Sequence, residues 1–300
     1  MNWFSWRDRV TESLGLDINS TDITLFYLTR THTQCQMRQA ICVPIKQDKF
    51  QSLESATVEA IKTGVGQLKT THRKVNIAIS DVKALSRTFN LDISNANWKK
   101  VALLRMASDI PVPLDKVYLD FEAQKFFDQS DNAKVLGIAC PQNIVDQRLQ
   151  IIKSTGLNPH IVELESHAIE RTLYYLKLIR NNSKLSACIY MTLDTITILL
   201  WFKQTVIAVS SNRLTQTSHS LAVAQQVQQA LAQLLFTSTI QPLQVCYIAS
   251  SHPLRFEIAA LCRHSLGINL FSFRLKPVKN NATNLSVLHN LVAFGLALRA

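Results

Sequence analysis

The sequence predicts a mixed α/β protein of two lobes, and three observations carry that prediction. The chain has 300 residues and is 47% hydrophobic, enough to bury a large core and to divide it between lobes. Its opening reads as three strands, a helix and a fourth strand. After residue 184 a second run of three strands repeats that opening, an internal echo that points to a duplicated lobe.

Each element follows from local pattern. Residues 14–28 read as two strands of alternating apolar positions around a turn at Asn19, Ser20 and Thr21. Residues 31–45 continue as a third strand. Leu53, Ala56, Ala60, Ile61 and Leu68 recur at helical spacing within 50–69, and residues 75–80 (VNIAIS) form a short buried strand. A strand is predicted over 85–93 and a helix over 95–107, which must stop before Pro111 and Pro113 because their backbone is held extended. Strands follow at 116–123 and 134–140. The helix 142–155 ends at Gly156, a residue suited to the left-handed position just past a helix. A helix is predicted over 167–179 and a polar linker over 180–183. Then come strands at 185–190, 196–202 and 205–210. The last predicted helix of this run, 221–235, sets Leu221, Ala224, Val227, Leu231 and Leu234 on one face and glutamines on the other, with no formal charge between Leu214 and Leu254.

Composition narrows the function classes. The six cysteines stand singly in apolar surroundings and never form a C-x-x-C pair, so buried thiols in a reducing cytoplasm are expected rather than a zinc site. The longest apolar run near Ile196–Phe202 is far below the roughly 20 residues that cross a bilayer. Trp3, Phe4 and Trp6 beside Arg7 and Arg9 read either as an interfacial anchor or as a terminus packed on the body. The net charge of +11 is spread without a dense basic stripe, and no nucleic-acid motif accompanies it. An acidic protein or an anionic membrane surface explains the excess, and no nucleic-acid partner is expected. Catalytic and nucleotide signatures of the G-x-S-x-G, H-E-x-x-H, Walker and G-x-G-x-x-G kinds are absent. The histidines lack metal spacing, and no metal site is expected.

Four stretches resemble one family. Leu16-Asp17-Ile18-Asn19-Ser20-Thr21 stands where that family has a G-x-D-I-G-[ST]-[ST] phosphate loop. Ile110-Pro111-Val112-Pro113-Leu114, followed by Leu119-Asp120-Phe121, is similar to its I-P-x-P-L and D-F segment. Gly156-Leu157-Asn158-Pro159 with Val162-Glu163-Leu164-Glu165, and the closing Gly295-Leu296-Ala297-Leu298-Arg299, match two more. The family is that of the type IV pilus assembly protein PilM, actin-like and related to the cell-division protein FtsA.

The resemblance implies an actin-like (ribonuclease H-like) fold. Its first lobe would be 13–74, completed by 163–181 and 283–300. Residues 75–162 would be the inserted small subdomain, and 184–282 a trimmed second lobe. It also implies a partner: the N-terminal cytoplasmic tail of an inner-membrane PilN-like protein, held in a groove between the subdomain and the first lobe. Ile110, Pro111, Pro113, Leu114, Leu119, Asp120 and Phe121 are the residues this implies for the tail, with core and turn chemistry as the other reading of the same residues. A peripheral position on the inner membrane and contact with pilus motor ATPases follow from the same resemblance.

An actin-type ATPase needs glycine in its phosphate turns, because the backbone itself must approach the phosphate. Here Asn19 replaces the first such glycine, next to Asp17, Ser20 and Thr21. Tyr190 stands for the acid and Thr192 for the glycine of the second loop, with Asp194 nearby. Ser250 and Ser251 replace both glycines of the adenosine loop. Seven glycines in the chain and a single acidic residue, Glu257, after position 200 leave little to hold Mg²⁺. The expectation is a pseudo-ATPase adaptor without cofactor, with weak ATP binding left open. The alternatives are an active or nucleotide-regulated ATPase of the same machine and a cytoplasmic platform component of type II secretion. The latter would continue into a membrane helix, which this chain, ending at Ala300, is expected to lack.

Overall fold

A computed structural model describes residues 10–31, 34–48, 51–94, 96–125, 132–181, 183–215, 219–237, 242–250, 252–266, 270–272 and 290–299. The Trp3–Arg9 cluster and Ser251 lie outside them. The chain forms two compact units, one of residues 1–78 with 151–300 and one of residues 79–150.

The first unit holds two five-stranded sheets of the same design. In the first, β1 (Thr11–Ile18), β2 (Asp22–Arg30) and β3 (Cys35–Pro44) make an antiparallel meander. After α1 (Leu53–Gln67), β4 (Lys74–Ile79) joins β1 in parallel, and β8 (Asn158–Leu164) completes the order β3-β2-β1-β4-β8. In the second, β9 (Ser186–Met191), β10 (Thr195–Phe202) and β11 (Thr205–Arg213) repeat the meander. After α5 (Ser220–Thr237), β12 (Val245–Ser250) joins β9 in parallel, and β13 (Leu270–Ser272) follows α6 (Arg255–Leu266), giving β11-β10-β9-β12-β13. The predicted echo is therefore a repeated topology. Central strands such as β9 are buried throughout, as a sheet covered on both faces requires.

The second unit is a three-stranded antiparallel sheet, order β5-β7-β6, with β5 (Leu85–Asp92), β6 (Val117–Lys125) and β7 (Asn132–Pro141). It carries α2 (Trp98–Ala107), whose Ala102 and Met106 are buried, and the greater part of α3 (Gln142–Lys153). Its limits fall inside the expected 75–162, because β4 and β8 at either end of that range are strands of the first sheet.

Three other expectations are corrected. The helix α4 (Glu165–Tyr175) starts earlier and stops sooner than 167–179. Lys177 takes a left-handed conformation (φ 55°), and the N–H groups of Lys177 and Leu178 return to the carbonyls of Tyr174 (2.9 Å) and Leu173 (3.0 Å). That is a Schellman stop made without glycine, so no sequence cue marked it. Leu221 is 57% exposed rather than part of the apolar face of α5. Four cysteines are buried, but Cys35 is half-buried and Cys42 exposed.

The last helix, α7 (Leu291–Ala297), is short and wholly buried, so packing rather than propensity stabilises it. Gly15 on β1 lets it approach. A Cβ there would lie 2.2 Å from the Ala293 carbonyl, and one at Gly295 would lie 1.9 Å from the Ala168 carbonyl on α4. Its C-terminal carbonyls are capped from three directions. Asn76 Nδ2 donates to Leu296 (3.0 Å) and Arg299 (2.6 Å), Arg30 Nη2 to Leu298 (2.6 Å), and Arg171 Nη1 to Gly295 (2.9 Å). Cations suit that end of a helix dipole. Arg171 also forks onto the buried Glu163 at 2.7 and 2.8 Å, and Arg299 bonds the same carboxylate.

Candidate functional site

Three turns at the ends of β1, β9 and β12 carry the residues that the sequence resemblance assigns to nucleotide loops. Each presents a side-chain oxygen to its own backbone amides. In the β1–β2 turn, Asn19 Oδ1 accepts the N–H of Thr21 (3.0 Å) and of Asp22 (2.9 Å), and the Thr21 hydroxyl as well (3.1 Å). Asn19 Nδ2 in turn donates to Asp22 Oδ1 at 3.2 Å. The asparagine therefore closes an Asx turn. Its conformation is ordinary, because the described non-glycine residues with positive φ are only Lys177 and Lys203. Asn19 thus stands at a glycine position of the family pattern without needing a glycine-like φ. Ser20 sits exposed at the tip.

The β9–β10 turn repeats the device with a hydroxyl. Thr192 Oγ1 accepts the N–H of Asp194 (3.3 Å) and Thr195 (3.1 Å), and pairs with Thr195 Oγ1 at 2.9 Å. In the β12 turn, Ser250 Oγ donates to the Met191 carbonyl (3.0 Å) and accepts the His252 N–H (2.9 Å). His252 Nδ1 accepts the Leu254 N–H at 3.1 Å. Thr192, Ser250 and His252 are buried. Burial pushes the His252 pKa down, since desolvation disfavours the cation.

The two positions that the resemblance assigns to acids, Asp17 and Tyr190, are both occupied with packing and bonding inside the fold. Asp17 is 4% exposed and accepts a 2.7 Å hydrogen bond from Asn290 Nδ2, while Asn290 Oδ1 caps α7 through the Ala293 N–H at 2.7 Å. Asp17 thus ties the first turn to the start of the last helix. Tyr190 lies on β9 where the family pattern has its second acid. It packs with Leu291 and Val292 of α7, and its hydroxyl is buried with no hydrogen-bond partner among the described residues. Burial, and after it the negative charges of Asp17, Glu165 and Asp22, push its phenol well above the usual range. Asp194 is half-buried in the second turn. Among the described residues no group of three metal-ligating side chains forms.

The residues named for a partner divide within the second unit. Ile110, Leu119 and Phe121 turn inward against Met106, Val117 and Ala139. A Cβ at Gly137 would lie 2.9 Å from the Phe121 ring, so Phe121 fills space that glycine leaves. Pro111, Pro113, Leu114 and Asp120 face outward, and Leu114 is 42% exposed. Sequence reasoning missed Tyr118, 48% exposed beside them, and Leu104 on α2, 67% exposed. The alternation of β6 was the signal for the first, since Tyr118 lies two residues from Asp120 on the same face.

Comparison with known proteins gives this geometry its context. The family model described as type IV pilus assembly protein PilM matches residues 15–198. A solved PilM-PilN type IV pilus biogenesis complex superposes with a TM-score of 0.77 at 18% identity, covering 96% of this chain and 98% of that one. A Bacteroides thetaiotaomicron protein of actin-like ATPase fold and unknown function superposes at 0.55 with 10% identity, both chains being covered in full. The cytoplasmic domain of EpsL, an inner-membrane component of the Vibrio cholerae type II secretion system, does so at 0.50 with 11% identity, over 80% of this chain and 82% of that one. The fold is accordingly actin-like. No described helix is long and apolar enough to cross a membrane. With more than half of its length matched by the family model, the chain belongs to the type IV pilus assembly protein PilM family.

Proposed function

We propose that this protein is a non-catalytic adaptor of type IV pilus assembly, which binds the tail of an inner-membrane PilN-like protein and does not turn over ATP. The observation that carries the first half is the self-closure of the three turns. Asn19, Thr192 and Ser250 give oxygen atoms to the amides of Thr21, Asp22, Asp194, Thr195 and His252. Backbone amides in such turns are what a phosphate would otherwise attract. A ligand must displace those bonds and find room beside the side chains that make them. Asp17 is committed to Asn290, and no acid accompanies it from β9. Mg·ATP is therefore a poor fit to these residues, and no hydrolytic step is assigned to them.

The partner half rests on the solved relative described as a PilM-PilN complex and on the outward set Pro111, Pro113, Leu114 and Asp120 with Tyr118. Two prolines and an exposed leucine offer rigid apolar contact at little entropic cost. Such a protein would work at the cytoplasmic face of the inner membrane and relay the tail's state to the pilus motors.

Calorimetric titration with Mg·ATP tests the first half. The wild type is expected to give no saturable heat. Asn19→Gly/Thr192→Gly/Ser250→Gly, which reopens the turns, is the informative variant; Asp17→Ala is a poor control because it also releases Asn290, whose side chain caps α7. Saturable binding by the wild type would restore a nucleotide-regulated reading. For the second half, a synthetic PilN-like tail peptide should bind, and Leu114→Ala should weaken it at least tenfold without moving the thermal melt. An unchanged affinity would remove this surface from the reading.

A further inference from the structure

Most long strand edges in the described structure carry the usual protection against pairing with another chain. β3 has Arg38 in its middle and ends at Pro44, β8 has Pro159 and Glu163, β5 has Arg87, and β6 has Asp120 and Glu122. Charges and prolines at such places blunt edge-to-edge association. β11 is the exception. It is the outer strand of the second sheet, nine residues long, and reads TVIAVSSNR, with no charge before Arg213 and no proline. Its far side pairs with no described strand. Val209, at its midpoint, is 43% exposed.

The helix packed over this edge is unusual in the same way. α5 contacts β10 and β11 and buries Val223, Ala224, Val227 and Leu231. Its outer face consists of Leu221, Gln225, Gln229, Ala232, Gln233 and Phe236, the first 57% and the last 92% exposed. Not one formal charge lies between Leu214 and Leu254, in a chain of net charge +11. A solvated helix face ordinarily carries charges.

We infer that β11 and the outer face of α5 form a self-association surface, at which two copies pair β11 with β11 antiparallel across a two-fold axis and pack α5 against α5. Charge selects a second copy as the occupant. Two molecules of net charge +11 repel each other, and a face stripped of charge is where they meet without stacking like charges. A partner recruited by electrostatics would need charged side chains, which the span from Leu214 to Leu254 lacks. Antiparallel pairing of one edge with itself is isologous, so every contact is made twice. It would bring Leu221 of one helix toward Phe236 of the other and the central glutamines together. An 18-residue helix is about 27 Å long, close to the roughly 28 Å width of a standard 800 Å² footprint.

Sedimentation equilibrium of the full chain across micromolar concentrations tests this. The wild type should show a reversible monomer–dimer equilibrium. Gln229→Lys and Gln229→Glu place like charges near the two-fold axis, and each alone should weaken dimerisation at least tenfold; an equimolar mixture of the two should recover it. Val209→Lys, which adds the usual edge protection, should also give monomer. Both residues are exposed, and an unchanged melting profile for each variant shows that folding is intact. A monomeric wild type, a dimer indifferent to these substitutions, or no recovery on mixing would each overturn the proposal.

Discussion

A hydrogen bond between Asn290 and Asp17 ties the last helix to the first turn, yet helix and turns treat glycine in opposite ways. Around α7, glycine is kept wherever backbone must touch backbone: Gly15 under Ala293 and Gly295 against Ala168. In the turns it is replaced by Asn19, Thr192 and Ser250, whose oxygens occupy the amides that open turns would expose. The difference separates two demands that an actin-like frame places on glycine. One is close packing, which α7 keeps with Gly15 and Gly295; the other is an open turn, which Asn19, Thr192 and Ser250 close with their own oxygens.

The sharpest way to break that comparison is to add single methyl groups to the frame. Gly295→Ala puts a Cβ into the Ala168 carbonyl, and overpacking of this kind costs about 3 kcal/mol or more, a fall in Tm of roughly 6–12 °C. Gly66→Ala is the matched control. Gly66 lies in α1 with nothing within 4 Å of the added carbon, so alanine there should stabilise by about 0.5–1 kcal/mol. Thermal melts of both decide the matter; equal tolerance would mean α7 is free to shift and the packing argument fails.

A second change addresses the clamp on the same helix. Arg171→Leu removes the fork onto Glu163 and the donor to the Gly295 carbonyl. Glu163, 8% exposed, keeps only Arg299 of the two arginines. Losing one partner of a buried charge costs about 3 kcal/mol when nothing replaces it, and the remaining arginine reduces that to about 2 kcal/mol. Urea unfolding with an unchanged m-value would register it. In the turns the effects should be smaller. Asn19→Gly, Thr192→Gly and Ser250→Gly each remove a local side-chain bond worth about 1 kcal/mol. The cost of Asn19→Gly should add to either of the others, whereas Thr192→Gly and Ser250→Gly are neighbours that couple, because Ser250 Oγ bonds the Met191 carbonyl beside Thr192. A large cooperative loss involving Asn19→Gly would mean that the turns belong to the frame after all.

Much of this was legible in the sequence, and the failures have physical causes. The hairpins, α1 and the second meander follow from alternation and helical spacing, and the repeated sheet order confirms the echo. β8 was missed because Asn158-Pro159 reads as a loop; an edge strand tolerates proline, since its outward N–H needs no partner. The same omission set the insertion's limits too wide. For Asn19 the substitution was visible but its use was not. The asparagine works through its carbonyl oxygen. The spacing offered that signal: Asn19 two residues before Thr21, Thr192 two before Asp194 and Ser250 two before His252, each an oxygen placed to reach the amide two positions on. Phe121 shows the opposite limit. A family segment marked it for a partner, while the strand's alternation, read alone, assigns it to the core with Leu119. Tertiary placement of Asn290 beside Asp17, 273 residues apart, was beyond any local pattern.

The smallest predicted effect separates the third turn from the other two. Asn19 and Thr192 close their turns with groups that do not titrate, but the β12 turn also depends on His252 Nδ1 accepting the Leu254 N–H. That bond requires the ring nitrogen to be unprotonated, with the proton of the neutral ring on Nε2. Burial lowers the folded-state pKa below the ordinary imidazole value of about 6.5. As pH falls below that value the unfolded chain takes up the proton first, so the His252 contribution is present at neutral pH. It declines with acidification until the folded form is protonated too. His252→Asn keeps an acceptor for the Leu254 N–H without a titrating group. Between pH 7 and 5 the wild type should therefore lose slightly more stability than His252→Asn, and hydrogen exchange should show that loss at the Leu254 amide while the Thr21 and Thr195 amides stay protected. Parallel pH profiles for the two proteins would mean that the third turn closes through Ser250 alone.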